Sequence, residues 1–305
     1  MRVLITGASG FLGRSLIQHL INTTDFDLFA LNRVSAKKFE FINSACRLNY
    51  LHYASLSEIE PLLMSTRPEI VIHCATYFHS EHKASDIQPM VESVIEFPTT
   101  VVDALAKVDH STIFINVGTS WQHFKNKRHN NPNGLHAALK SGFEEVLKYY
   151  LDSSKVSVVT LKLFDTYGPG DVRKKLIGLL FDAAVNNSPI DLTAGEQYID
   201  IVFINDVCEC FRLICMDFKN KKELGGSFGV SSGSEITVRD IVSEVINVTG
   251  ADPNLFKFGK RPYRNREVMN NWREGMETYR GWTPKVSLRS GLEISWKEHL
   301  LMNKR

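Results

Sequence analysis

The run Val3-Leu4-Ile5-Thr6-Gly7-Ala8-Ser9-Gly10-Phe11-Leu12-Gly13 decides how the rest of the chain is read. Val3, Leu4 and Ile5 make a short apolar run of the kind found in buried strands. Three glycines follow, spaced three apart, and Phe11, Leu12, Leu16, Ile17 and Leu20 then recur at helical spacing. Strand, glycine turn and amphipathic helix together form a cradle for phosphate. The glycines allow a tight turn and close backbone approach, and the helix N-terminus offers free N–H groups and a positive dipole. Glycine also closes ordinary turns; its placement between a strand and a helix is what points to a nucleotide.

Outward from this run, strand and helix signals alternate. Strands are expected at 27–32, 70–72, 112–117 and 157–163, and helices at 56–66, 90–107 and 135–151. This βαβ alternation predicts an α/β fold, a Rossmann-type doubly wound parallel sheet with helices on both faces. Ligands of such sheets sit at the carboxyl ends of the strands, so the residues after Ile5, Leu31, Ile72, Val117 and Leu163 matter most. Beyond Tyr167-Gly168-Pro169-Gly170 the alternation loosens. Helices are expected at 173–187, 206–216, 237–249 and 291–301, with Thr237 or its neighbour as N-cap and Gly250 as C-cap, and a strand at 198–204. The expected division is a dinucleotide-binding domain at 1–165, with 199–226 returning to it, and a smaller mixed α/β C-terminal substrate lobe at 166–305.

The 305 residues can bury a large core, and 43% hydrophobic content is ordinary for a globular chain. The net charge is +2 with both signs scattered, which gives no reason to expect nucleic acid or an anionic membrane. The cluster Lys125-Asn126-Lys127-Arg128-His129 reads as a solvated loop. No apolar run is long enough to span a bilayer, and the chain opens directly on a strand, so no leader is expected. Five irregularly spaced cysteines make no disulfide framework. They read as reduced and mostly packed in a cytoplasmic protein, with Cys208 and Cys210 on different faces of one helix.

NAD-specific sites carry an acid at the end of the second strand to bond the ribose hydroxyls. Here Asn32-Arg33 stands at that place. Asn32 adds no negative charge, and Arg33 could pair with a 2′-phosphate or simply be a solvated loop arginine. The missing acid points to NADP rather than NAD.

The strand 113–117 leads into Gly118-Thr119-Ser120-Trp121, and a later helix opens His136-Ala137-Ala138-Leu139-Lys140. The i, i+4 spacing puts His136 and Lys140 on one helix face. Here the chain resembles the extended short-chain dehydrogenase/reductases acting on nucleotide sugars, the NAD-dependent epimerase/dehydratase family. The resemblance implies that Thr119, with Ser120 as neighbouring alternative, polarises the sugar carbonyl or hydroxyl. It implies that Lys140 holds the nicotinamide ribose and tunes the proton donor. The family donor is a tyrosine, and its position is His136 here. An imidazole needs less help than a phenol to exchange a proton at neutral pH, although a nearby Lys140 would lower its pKa. A packing histidine is the other reading. Expected cofactor contacts are Gly7, Ser9, Gly10, Phe11, Leu12, Asn32, Arg33, Ser55, Leu56, Cys74, Ala75, Thr76, Lys140 and Phe164.

Three further stretches resemble the family: 161–171, read as the strand and loop closing over the nicotinamide; 195–207, where Ile199 replaces the family arginine; and Phe258-Gly259-Lys260-Arg261-Pro262-Tyr263-Arg264-Asn265-Arg266-Glu267. The last is expected to hold a diphosphate through Arg264, with Arg261 and Arg266 behind it. Substrate contacts are expected from Thr119, Ser120, Trp121 and Arg264, and no metal is expected. Within the family, 118–122, 195–197 and 256–259 resemble the CDP-abequose and CDP-paratose synthases. That implies NADPH-dependent reduction of a CDP-linked 4-keto-deoxysugar. A C4 epimerase and a non-catalytic NADP-binding protein stay open. A 4,6-dehydratase would need an acid–base pair where Ser120 and Trp121 stand. The resemblance also implies a homodimer built through the helices at 90–107 and 135–151.

Overall fold

The computed structural model describes residues 1–35 and 48–303. Its first half runs β1 (Arg2–Thr6), α1 (Phe11–Thr23), β2 (Asp27–Arg33), β3 (Leu48–Tyr53), α2 (Ile59–Thr66), β4 (Ile70–His73), α3 (Ile87–Val91), α4 (Phe97–Ala106), β5 (Thr112–Thr119), α5 (Leu135–Ser153) and β6 (Val156–Leu163). The remainder comprises β7 (Asp165–Tyr167), α6 (Leu176–Asn186), β8 (Ile190–Asp191), β9 (Tyr198–Ile199), β10 (Ile201–Phe203), α7 (Ile204–Lys219), β11 (Gly226–Val230), β12 (Ile236–Thr237), α8 (Val238–Thr249), β13 (Phe256–Lys257) and α9 (Leu288–Met302).

The main sheet has seven strands in the order β11-β6-β5-β4-β1-β2-β3, and every pairing in it is parallel. The strand order reverses between β1 and β4, which opens a crevice at their carboxyl ends. Alternation along each strand divides the core. Val3 and Ile5 face one layer while Leu4 faces the other; Ile113 and Ile115 oppose Phe114 in the same way. The first layer is covered by α1 and α7, the second by α2, α4 and α5. Burial on both faces explains why these strands read as apolar runs. The smaller pairs β7–β10, β8–β13 and β9–β12 form the mixed C-terminal part.

Some expectations need correction. The helix expected at 173–187 begins only at Leu176, because Arg173 is held in a loop by Asp171. The strand expected at 198–204 is broken at Asp200, whose N–H turns aside to Asn271 Oδ1 at 3.2 Å, and Ile204 already belongs to α7. The helix at 90–107 contains a π-helical turn over 92–96. β3 and β11 lie outside the expected strands: β3 lacks a continuous apolar run and is mostly half-buried or exposed, and β11 carries two glycines. Cys208 and Cys210 are both fully buried, since α7 is covered on two sides. Cys74, Cys208, Cys210 and Cys215 are free thiols; Cys46 lies outside the described residues. Thr237 and Gly250 do cap α8, the latter at φ +70°. Among the described residues no helix is long and apolar enough to cross a membrane.

The β1–α1 turn leaves no room for a side chain. A Cβ on Gly13 would lie 2.3 Å from the Gly7 carbonyl oxygen and 2.8 Å from Ala8 Cα, both backbone atoms that cannot rotate away. Gly13→Ala is expected to cost about 2 kcal/mol of stability in urea melts; an unchanged midpoint would contradict this close approach.

Candidate active site

The crevice is built first from backbone. Gly7 sits at φ +65°, and a Cβ there would meet the Ala75 nitrogen at 2.6 Å, so the turn packs directly on the chain leaving β4. Gly10 N–H donates to the Gly7 carbonyl at 2.9 Å. Gly10 is also the N-cap of α1 and supplies no side-chain bond, which leaves the first-turn N–H groups of Phe11 and Leu12 to serve an outside acceptor. Thr6 Oγ1 accepts from Ala75 N–H at 3.2 Å and shares a hydrogen bond with His73 Nδ1 at 2.9 Å, locking the two strand ends together. This glycine-lined, uncapped turn fits the diphosphate of a dinucleotide.

At the end of β2, Asn32 is buried and Arg33 is exposed. Asn32 Nδ2 reaches back to the Ala30 carbonyl, at 3.5 Å. Between Leu31 and Ser35 there is no carboxylate. Ser55 is exposed beside half-buried Leu56, its hydroxyl 2.6 Å from that of Ser57.

Beyond β4 and β5 the reactive groups gather. His136, at the start of α5, lies with Nε2 2.9 Å from Thr76 Oγ1, and Phe78 packs edge-on to its ring at 4.9 Å. Lys140, one turn on, donates from Nζ to the Val117 carbonyl at 2.7 Å and is 3% exposed. Burial pulls Lys140 down to about 8, with Cys74 and Glu144 opposing. His136 is pulled down to about 3, chiefly by burial and then by the charges of Lys140 and Lys175. Its ring is therefore neutral at physiological pH. Thr119 caps a short 3₁₀ turn: its Oγ1 accepts from Trp121 N–H at 3.3 Å, and its N–H donates to Gln122 Oε1 at 2.9 Å. Fully buried Gln122 in turn donates to Ser141 Oγ and Glu144 Oε1, pinning this loop to α5. Thr119, His136 and Lys140 thus share one corner, whereas Tyr149 on the same helix is 65% exposed and outside it.

A cleft opens beside this corner, lined by Ser120, Trp121, Phe164 and Arg264 among others. The Arg264 guanidinium lies 5.5 Å from the Trp121 ring. It is also gripped by Glu267, with Nε and Nη2 donating at 3.0 and 2.9 Å. Arg261 and Arg266 do not back it up. Arg261 is exposed outside the cleft lining, and Arg266 donates to the carbonyls of Asn133 and Pro132, both at 3.0 Å. Ile199 lines the cleft where the family arginine was expected to be missing.

The sequence reading missed a buried cluster on the cleft wall. His123 stacks on Trp272, ring centroids 3.9 Å apart and 11° from parallel. Lys162 Nζ donates to His123 Nε2 at 2.8 Å and pairs with Glu144 at 3.3 Å. Burial and the Lys162 charge hold His123 at about 4. A lysine inside the apolar strand 157–163 was the available signal, since a buried ammonium demands partners.

The sequence profile of the NAD dependent epimerase/dehydratase family matches residues 3–227. The CDP-abequose synthase of Yersinia pseudotuberculosis is 28% identical over 274 residues, covering 88% of this chain and 91% of that protein. The CDP-abequose synthase of Salmonella typhimurium is 26% identical over 304 residues, covering 95% and 96%. Among solved structures, the UDP-glucose 4-epimerase of Thermus thermophilus in complex with NAD superposes with a TM-score of 0.82 at 20% identity, covering 98% of this chain and 99% of that one.

The His136 environment has a direct readout. Imidazole NMR signals of His136 are expected to stay in their neutral form from pH 8 down to about pH 4, because the folded-state pKa is about 3. A titration near the ordinary histidine value would show that the ring is solvated instead.

Proposed function

The chain belongs to the NAD dependent epimerase/dehydratase family, and from that premise we propose that it is an NADPH-dependent reductase of a 4-keto-deoxysugar carried on CDP. The observation that carries the reading is relatedness to two CDP-abequose synthases along nearly the full length of the chain. The cofactor choice is supported at β2, where Arg33 is exposed and residues 31–35 carry no carboxylate, and a guanidinium suits a 2′-phosphate.

The bound cofactor supplies hydride to the carbonyl carbon. In this reading Gly7, Ser9, Gly10, Phe11 and Leu12 take its diphosphate, Asn32, Arg33, Ser55 and Leu56 its adenosine half, and Cys74, Ala75, Thr76, Lys140 and Phe164 its nicotinamide half. Ser120, Trp121 and Arg264 hold the nucleotide sugar. Arg264 then has to turn part of its fork from Glu267 toward the substrate diphosphate.

Reduction of a ketone also needs a proton at the new hydroxyl. Thr119 Oγ1 already accepts one N–H and so has its own O–H free to donate to the sugar oxygen. His136 Nε2 is engaged with Thr76, so in this reading Nδ1 is the ring nitrogen left for a substrate oxygen. Neutral imidazole acts there as a hydrogen-bond donor, not as a charged acid. Lys140 carries the positive charge, and its Nζ is the group with a proton to give near neutral pH. Exposed apolar Val91, Tyr149 and Leu151, within the helical stretches 90–107 and 135–151, support a homodimer through those stretches.

The test is NADPH consumption with a CDP-4-keto-deoxysugar. Net oxidation is expected, with Lys140→Met and Thr119→Val each slowing kcat by roughly a hundredfold. The rate is expected to fall as pH rises through about 8, where Lys140 loses its proton. Sugar inversion with no net NADPH loss would make the protein an epimerase. Cofactor binding without turnover, repaired by His136→Tyr, would make it a binding protein that has lost its acid. Equal turnover with NADH would overturn the assignment of Arg33.

A further inference from the structure

We propose that Arg173 is an additional ligand of the cofactor diphosphate, reaching over the glycine turn from the loop after β7. The inference rests on the reading of the Gly7–Gly13 turn as a dinucleotide site and adds a residue to it.

The guanidinium carbon of Arg173 stands 4.4 Å from the centroid of the Phe11 ring. Phe11 is the first residue of α1, and its N–H is part of the uncapped turn. The arginine therefore rests on the side chain of a residue whose backbone faces the crevice. Other bonds fix its direction. Nε donates to Asp171 Oδ1 at 2.6 Å, and Nη2 donates to Asp171 Oδ2 at 2.7 Å and to the Thr166 carbonyl at 2.9 Å. Among the described residues Nη1 has no partner, so two N–H groups of an oriented fork are left over. The loop itself is tied to α1, since Arg14 Nη2 donates to the Gly170 carbonyl at 2.9 Å. Residues 168–175 thus cross the first turns of α1 as a strap.

The chemistry of the leftover group matches a phosphate oxygen. A guanidinium is planar, permanently protonated and weakly hydrated, and its forked donors suit phosphate geometry. At 38% exposure the side chain is accessible to a ligand from outside. Asp171 cancels much of its charge, so the contribution is that of one charge-assisted hydrogen bond, not of a free cation. A purely structural role is the competing account. It would loosen the strap and weaken every ligand, or none, whereas a diphosphate ligand discriminates between probes that carry a diphosphate and probes that do not.

Calorimetric titrations of the full chain with ADP, NADPH and 2′-AMP test this, using the wild type, Arg173→Met and the double variant Asp171→Asn/Arg173→Met. Both variants are expected to bind ADP and NADPH about tenfold more weakly, to bind 2′-AMP as the wild type does, and to keep the ligand-free melting temperature. Three results would overturn the role of Arg173: unchanged ADP affinity in Arg173→Met, an equal loss for 2′-AMP, or wild-type ADP affinity in the double variant. The last would mean that Arg173 only masks a repelling Asp171. If the wild type binds neither ADP nor NADPH, the dinucleotide reading fails and takes this inference with it. If the wild type binds and the variants match it, only Arg173 is dismissed.

Discussion

The structure depends on one close approach of backbone to backbone. The Gly7 turn lies against Ala75, and α1 begins so near β1 that Gly13 faces the Gly7 carbonyl with no intervening side chain. Close packing of this kind tolerates little relaxation. It brings the first turn of α1 to the point where the strand order reverses, and it delivers the chain after β4 to the same place. Thr76, the hydrogen-bond partner of His136, stands where it does because Gly7 lets that chain pass.

Burial then sets the chemistry. His136 and Lys140 are both pulled toward their neutral forms, with opposite consequences. The imidazole, already close to neutrality in water, becomes fully neutral, while the lysine moves only as far as about 8. Charge and exchangeable proton thus stay with the lysine. The two side chains reinforce the split, since the Lys140 ammonium is itself one cause of the lowered histidine value. A phenol in place of His136 would respond differently, because burial raises its pKa and a neighbouring ammonium lowers it.

The outer wall of the cleft is held by unlike means. Asn126 Oδ1 accepts from Glu274 N–H at 2.9 Å and also from Arg273 N–H, and Arg266 spans to 132–133. His123 lies flat on Trp272. Two segments more than a hundred residues apart in sequence therefore form one surface. Asp200 secures the same region, accepting from Ser231, Ser232 and Arg273 while fully buried.

Local pattern determined much about this protein. Apolar runs, helical spacing and the glycine trio are properties of neighbouring residues, so the parallel sheet, the uncapped α1 and the shared face of His136 and Lys140 could be read from the chain alone. So could the caps of α8, where Thr237 and Gly250 act within one or two turns. Short or interrupted elements could not, because β3 and β11 are stabilised by the strands beside them and not by their own composition. Only the tertiary structure decided the partners of the polar groups: that Arg264 meets Glu267, that Arg266 turns away to 132–133, that Lys162 meets His123, and that Arg173 leaves the expected helix to lie on Phe11. Hydrogen bonds and ion pairs between distant segments leave no periodicity in a sequence. They are fixed by which loops the folded sheet happens to bring within 3 Å of each other.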